Sequence, residues 1–246
     1  MIFIPDRAPD SIERELAAVY RLYAALAGRM DPATGLGGKL LFAGEMDAAG
    51  CRLVRAANIA GAATLAATAD QALQRQAIRE GVIDFLVTSL DEALRILKNE
   101  IRKRQTVAVG VALAPETVLR QMGKRGVLPD LLPPASSPGA DASEFARFLA
   151  AGAQRVETQG TQEDRTFFYL SVPSEFPVGL NDFAALLAEE LAPEDHLNQR
   201  WLRLSPRYLR PDARRIRSFE CSQETASKLQ DRVCEALRQA VQRKTD

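Results

Sequence analysis

Between residues 10 and 30 the apolar side chains fall at Ile12, Leu16, Ala17, Val19, Tyr20, Tyr23, Ala24 and Leu26. Spacing of three and four predicts an amphipathic helix, opened by Asp10 or Ser11 as N-cap. Asp31-Pro32 stops it, and Gly35, Gly37 and Gly38 link it to the next segment. From Lys39 the pattern changes. Short apolar runs at 40–43, 63–67, 82–87, 107–113 and 127–132 alternate with helical segments at 47–60, 70–80, 89–103 and 115–125. The third of these helices carries the clearest signature. Ser89-Leu-Asp-Glu92 reads as a capping box, and Leu90, Ala93, Leu94, Leu97 and Ile101 form its inner face. The fourth opens with Pro115 and closes at Gly126.

Apolar runs without alternation predict strands covered on both faces, and strand–helix–strand units with short links predict a parallel sheet. The fold class is therefore α/β. Residues 36–132 form a doubly wound, Rossmann-like parallel sheet of about five strands, after an N-terminal helical segment at 1–35. Pro133-Pro134-Ala135-Ser136-Ser137-Pro138-Gly139 predicts a linker over 133–140. Residues 141–246 then follow a different grammar. They predict a helix at 141–151, a hairpin of 155–159 with 166–172, a helix at 181–191 and strands at 201–204 and 214–221. A final helix follows Ser222, with Ala226, Leu229, Val233, Leu237, Ala240 and Val241 inward. The C-terminal part is thus an α+β lobe with antiparallel strands.

Composition narrows the function classes. Among the 246 residues, Lys+Arg and Asp+Glu both number 32, so the zero net charge speaks against a generally basic nucleic-acid binder. Three isolated cysteines (Cys51, Cys221, Cys234) and a single histidine, His196, do not make a zinc site. Unpatterned cysteines of odd number suit a reducing cytoplasm. The N-terminal apolar run is too short for a signal peptide, and the weakly polar stretch 56–69 falls short of the roughly 20 apolar residues of a membrane span. A soluble, cytoplasmic protein without membrane contact is expected.

On a parallel sheet a ligand binds outside the carboxyl ends of the strands. This chain offers there Gly44, Glu45, Asp47 and Gly50 after the first strand, Thr68 and Asp70 after the second, and Thr88 and Ser89 after the third. The cluster Gly35-Leu36-Gly37-Gly38 precedes its strand, where it cannot cradle a phosphate. After the strand, Glu45 and Asp47 face the place a phosphate would take, and like charge opposes it. Asp47 and Asp70 each also fit a helix N-cap. His196, beside Glu194 and Asp195, reads as an exposed residue at a helix boundary, and no catalytic residue or metal ligand stands out. One electrostatic oddity remains. Seven arginines fall between residues 200 and 217 against one acid, Asp212, with Trp201 and Tyr208 among them. Arg203, Arg207 and Arg210 are the candidate anion-binding residues, through guanidinium forks that grip phosphate or carboxylate. The alternative is an outer sheet face paired with Glu189, Glu190, Glu194 and Asp195.

Several segments carry a family likeness: Leu36-x-Gly38-Lys39, Ile59-Ala-Gly61-Ala62, Ser89-Leu-Asp-Glu-Ala-Leu94, Ala112 through Val118, and Lys124-Arg125-Gly126-Val127-x-Pro129-Asp130. In order and spacing, residues 36–132 resemble the NAD-binding, Rossmann-type domain of urocanase (urocanate hydratase). The resemblance implies a Rossmann-type sheet, NAD as cofactor and a lyase reaction in which NAD acts on an imidazole ring. It also implies specific departures. Of the family's glycine cluster only Gly50 is kept, while Glu45, Asp47, Ala48 and Cys51 take other positions. The ribose-binding acid falls near Thr68, the segment after the last strand falls at 132–137, and the large catalytic core has no counterpart. The expected function is a small-ligand binding or interaction protein with a degenerate NAD phosphate loop. No resident cofactor is favoured, NAD entering through the resemblance alone. The expected partner is a small molecule at the carboxyl ends of the parallel strands, with nucleic acid at the arginines ranked below it. A homodimer is compatible with the sequence. The alternatives are an NAD-dependent lyase of urocanate-hydratase type and an anion- or nucleic-acid-binding module using Arg200 to Arg217.

Overall fold

The computed structural model describes residues 10–137, 143–158, 164–171, 180–210 and 213–242. In chain order they form Ser11–Ala27 (α1), Leu40–Glu45 (β1), Ala48–Ala60 (α2), Ala63–Ala67 (β2), Gln71–Arg79 (α3), Phe85–Val87 (β3), Leu90–Arg102 (α4), Val107–Val111 (β4), Pro115–Arg125 (α5), Leu131–Leu132 (β5), Ser143–Ala150 (α6), Gln154–Arg155 (β6), Arg165–Ser171 (β7), Leu180–Glu190 (α7), His196–Tyr208 (α8), a short 3-10 turn at Ala213–Arg215, Ile216–Ser222 (β8) and Gln223–Gln242 (α9). Two compact units result. One takes Arg21–Gln159, the other Met1–Tyr20 with Gly160–Asp246.

The first unit is built on a six-stranded parallel sheet in the order β3-β4-β2-β1-β5-β6. Every residue of β2 and β4 is buried, as continuous apolar runs require of central strands. One sheet face turns Leu40, Phe42, Leu65, Val109 and Val111 toward Leu94 and Leu97 of α4, Val118 and Met122 of α5, and Phe145 and Phe148 of α6. Phe42 and Phe145 approach to 6.2 Å between ring centroids. Each such side chain contributes about 1.5–3 kcal/mol through burial. On α2, small residues (Ala56, Ala57, Ala60) are fully buried, which lets the helix backbone lie close to its neighbours. Arg55 of α2, also buried, meets Glu80 at 2.8 Å. The doubly wound α/β arrangement agrees with the sequence pattern.

The sheet holds one strand more than expected. β6 pairs in parallel with β5, Leu131 opposite Gln154 and Leu132 opposite Arg155. The expected hairpin between 155–159 and 166–172 is therefore replaced: residues 154–155 join the parallel sheet, and β7 pairs with β8. Two polar residues give no strand pattern of their own; buried Ala153 and Val156 on either side anchor them. Together with α6 they carry the first unit beyond the Pro-rich stretch, so the contacts divide the chain near residue 159 and within α1 rather than at 35 and 133–140. Residues 138–140 of the expected linker, 141–142 of the expected helix, and 159–163 and 172 of the expected hairpin lie outside the described residues, as do the side chains of Ala240 and Val241.

In the second unit β7 and β8 pair antiparallel from Arg165–Ser222 through Ser171–Ile216. The strand expected at 201–204 is helix instead, inside α8. Asn198, Trp201, Leu202 and Ser205 are its buried positions, and their spacing is helical over a window longer than the four residues that suggested a strand. Asp195 caps α8 by accepting from the Asn198 N–H at 3.0 Å. The strand expected at 214–221 is β8, starting two residues later after the 3-10 turn. Tyr20 packs edge-on against Trp201 and Phe167, at 5.0 and 5.2 Å. Its hydroxyl donates to Asn198 Oδ1 at 2.6 Å, Asn198 Nδ2 donates to Asp195 at 2.8 Å, and the Trp201 indole donates to the Ser218 carbonyl. Leu229, Val233 and Leu237 form the inner face of α9. Among the described residues, no helix is long and apolar enough to cross a membrane.

Candidate functional site

The strand order creates a crevice. The connection leaving β1 leads to β2 on one side, and that leaving β5 leads to β6 on the other, so their carboxyl ends flank a topological switch point. β1 ends there irregularly. Phe42 pairs with Leu65 and Gly44 with Ala66, leaving Ala43 as an extra, bulged residue. Gly44 takes φ +82°, a conformation that favours glycine. The bulge sets Glu45 opposite Ala67, on the sheet face shared by Phe42 and Leu65, where an unbroken ladder would have turned it to the other side. Its Oε1 is buried and has no hydrogen-bond partner among the described residues.

Beyond Glu45 the chain turns sharply into α2. Buried Met46 donates its N–H to the Ala67 carbonyl at 3.1 Å and lays its thioether against Gly110 of β4. Asp47 is the N-cap of α2: its carboxylate accepts from the Gly50 N–H at 2.8 Å. Gly50 is a packing glycine, since a Cβ there would stand 1.8 Å from the Glu45 carbonyl oxygen. It permits the close approach of helix to strand that the last glycine of a dinucleotide loop also provides.

Neighbouring β2 ends in Thr68 and Asp70. Thr68 is buried, and its hydroxyl accepts from the Asp70 N–H at 3.1 Å. Asp70 in turn caps α3, accepting from Ala72 and Leu73 at 2.6 and 3.3 Å. Gly44, Glu45, Asp47, Gly50, Thr68 and Asp70 thus stand at the ends of adjacent strands. Thr88 and Ser89 do not join them. They are exposed at the end of edge strand β3, with β4 between β3 and β2. Ser89 caps α4 through the Glu92 N–H at 3.3 Å. Two apolar residues also border this region without any motif to mark them: Met46, packed on Gly110, and Pro133 after β5, whose ring lies 3.9 Å from a Cβ placed on Gly44. The apolar character of Met46 was the available signal.

The N-terminus of α2 carries its own acidic groups. A phosphate at a helix N-terminus needs open backbone N–H groups and no anion beside them. At α2 the Asp47 carboxylate already takes the Gly50 N–H, and Glu45 brings a second carboxylate within two residues.

The other candidates lie in the second unit. Arg203, Arg207 and Arg210 are exposed, the first two spaced for one face of α8 rather than on an outer strand, and the Arg207 guanidinium lies 5.3 Å from the Tyr208 ring centroid. Glu190, one of the acids expected to pair with them, binds Arg232 of α9 at 2.7 Å. His196 is exposed at the start of α8. Burial pushes the Cys221 thiol up to about 11. Among the described residues no three His, Cys, Asp or Glu side chains gather as a metal site.

A family model for the urocanase Rossmann-like domain matches residues 17–141, a span that runs from α1 through β5 and so takes in the whole crevice just described. By that Rossmann-like domain, covering half of its length, the chain belongs to the urocanase family.

Proposed function

We propose that the parallel-sheet unit is a binding module that keeps the urocanase scaffold and has lost its dinucleotide chemistry. Its ligand is a small molecule presenting a cation or a hydrogen-bond donor to the carboxyl ends of β1 and β2, with no phosphate. The observation that carries this reading is the bulge-directed Glu45 carboxylate, whose buried Oε1 lacks a partner. A buried carboxylate oxygen without a donor is costly, so a ligand that supplies one is strongly favoured. Asp47 supports the same reading by holding the N–H group that a phosphate would need.

Native mass spectrometry of the chain purified without added cofactor, set against its denatured mass, is the first test. The expected mass is free of any dinucleotide adduct, and titration with NAD gives no heat. A stoichiometric NAD adduct, or turnover of urocanate followed by its ultraviolet absorbance, would overturn the reading in favour of a urocanate-hydratase-type lyase. Replacing both carboxylates, Glu45→Gly with Asp47→Gly, restores glycine beside Gly50 and is expected to raise NAD affinity.

A second reading concerns α8, where exposed Arg203 and Arg207 share one face. They favour an anion-binding surface. Binding of a phosphate polymer that weakens steeply between low and moderate salt supports it, and salt-independent binding excludes it.

A further inference from the structure

We infer that the second unit carries its own binding site, a cavity for a small zwitterion whose carboxylate is held by Arg165 and whose ammonium group is held by Asp195. A cavity of about 540 Å³ opens where the start of β7, the α7–α8 connection and the start of α9 converge. That volume falls within the roughly 300–1,000 Å³ of small-molecule sites. Its polar walls are Arg165, Asp195, Ser222, Thr225, Lys228 and Glu190.

Most charges around this cavity are already matched. Glu190 binds Arg232 at 2.7 Å, and Lys228 binds Glu224 at 2.6 Å. Arg165 and Asp195 differ from them. The Arg165 guanidinium donates to the Glu220 carbonyl at 2.7 Å and makes no ion pair among the described residues. Asp195 accepts from the backbone N–H and the side-chain amide of Asn198, at 3.0 and 2.8 Å, and these donors are neutral. One cation and one anion thus line the same cavity without pairing with each other. Arg165 enters the cavity wall from the start of β7 and Asp195 from the α7–α8 connection, beside Cys221 and Ser222 of β8.

The remaining wall suits the carboxylate end. Arg165 stands opposite Ser222 in the β7–β8 register, and the hydroxyls of Ser222 and Thr225 lie 2.9 Å apart at the start of α9. A carboxylate on Arg165 therefore reaches hydroxyl donors next to the positive end of a twenty-residue helix. Cys221 lines the cavity too, but burial keeps its thiol protonated near neutral pH, so it supplies no nucleophile.

The test uses the full chain and the twenty common amino acids, added singly, with thermal shift as a screen and titration calorimetry on any that stabilise. At least one is expected to bind. Its decarboxylated amine and its deaminated acid should each bind about tenfold more weakly or worse, the loss of one charge-assisted contact. Asp195→Asn, which still caps α8, and Arg165→Gln should each lose affinity by a similar factor, and Arg165→Lys should recover part of it. Circular dichroism checks that each variant is folded. Absence of binding by all twenty, equal binding of the deaminated acid, or unchanged affinity in folded Asp195→Asn would overturn the inference. None of these outcomes depends on what the parallel-sheet unit binds.

Discussion

The two units hold their interiors together by contacts of different reach. In the parallel-sheet unit each strand is joined to the next by one helix, and the packed faces of α4 and α5 lie on strands close to them in sequence. In the antiparallel unit the interior is tied by distant partners. Tyr20 bonds Asn198, 178 residues away, and Tyr169 donates to the Glu13 carbonyl, 156 residues away. The first unit is a layer structure whose main cluster is apolar, with Arg55, Asn58, Thr64 and Thr68 buried outside that cluster. The second threads an aromatic and amide network through its core, with Tyr20, Trp201, Asn198 and Ser218 all buried. Local pattern marks most elements of the former, whereas the latter depends on hydrogen bonds between residues far apart in sequence.

The sharpest way to break this contrast is Trp201→Ala, which deletes the fully buried indole between Tyr20 and the Ser218 carbonyl. A loss of about 3–5 kcal/mol is expected, with hydrogen exchange rising in β7 and β8 while β1 and β2 keep their protection. Equal loss of protection in both sheets would erase the distinction.

Next in size comes Gly50→Ala. The added methyl would stand 1.8 Å from the Glu45 carbonyl, so α2 must move off β1 at a cost of about 1–3 kcal/mol. Gly28→Ala, with nothing within 4 Å, serves as the control and should leave the denaturant midpoint almost unchanged. A Gly50→Ala chain as stable as the control would refute the packing role.

The smallest effect is pH-dependent and belongs to the antiparallel unit. Burial raises both the Tyr20 hydroxyl and the Cys221 thiol above their ordinary values. A group whose folded pKa is raised keeps its proton longer than the unfolded chain does, so its contribution is complete below the unfolded pKa and is lost as pH rises. For Cys221 the window runs from the ordinary value of 9.0 to about 11. Thermal melts should therefore fall through this range, and Cys221→Ala should flatten the fall. A Cys221→Ala profile parallel to that of the unaltered chain would rule the thiol out as its source.

These differences also explain what could be read from residues alone. Ser89, Pro115, Asp47 and Asp70 announce the starts of their helices because capping is a local event, and the structure places each at such a start. The strand pattern of the parallel sheet was legible for the same reason. β6 was not, because Gln154 and Arg155 become strand only through the backbone of β5. The Trp201–Leu204 run fits two periods over four residues, and buried Asn198 and Ser205 on either side decide for the helix. At the crevice the residue types were visible, but the burial of Glu45 follows from the bulge at Ala43, which only the ladder reveals. Arg165 and Asp195 share a cavity through the fold, with no motif to join them.

The strands at the two margins of the parallel sheet have a further consequence. β3 offers three residues, about 10 Å of backbone at ~3.3 Å per residue, and β6 only two, with the Arg155 carbonyl accepting from the Arg29 guanidinium at 3.2 Å. An incoming chain would find room for one or two hydrogen-bonded pairs, too few to hold it. Templated growth into fibres is thereby discouraged at both margins. What the β3 margin exposes instead is one ring, Phe85, 49% accessible. A visitor to that margin would be recognised by a side chain, and the sheet would remain finite.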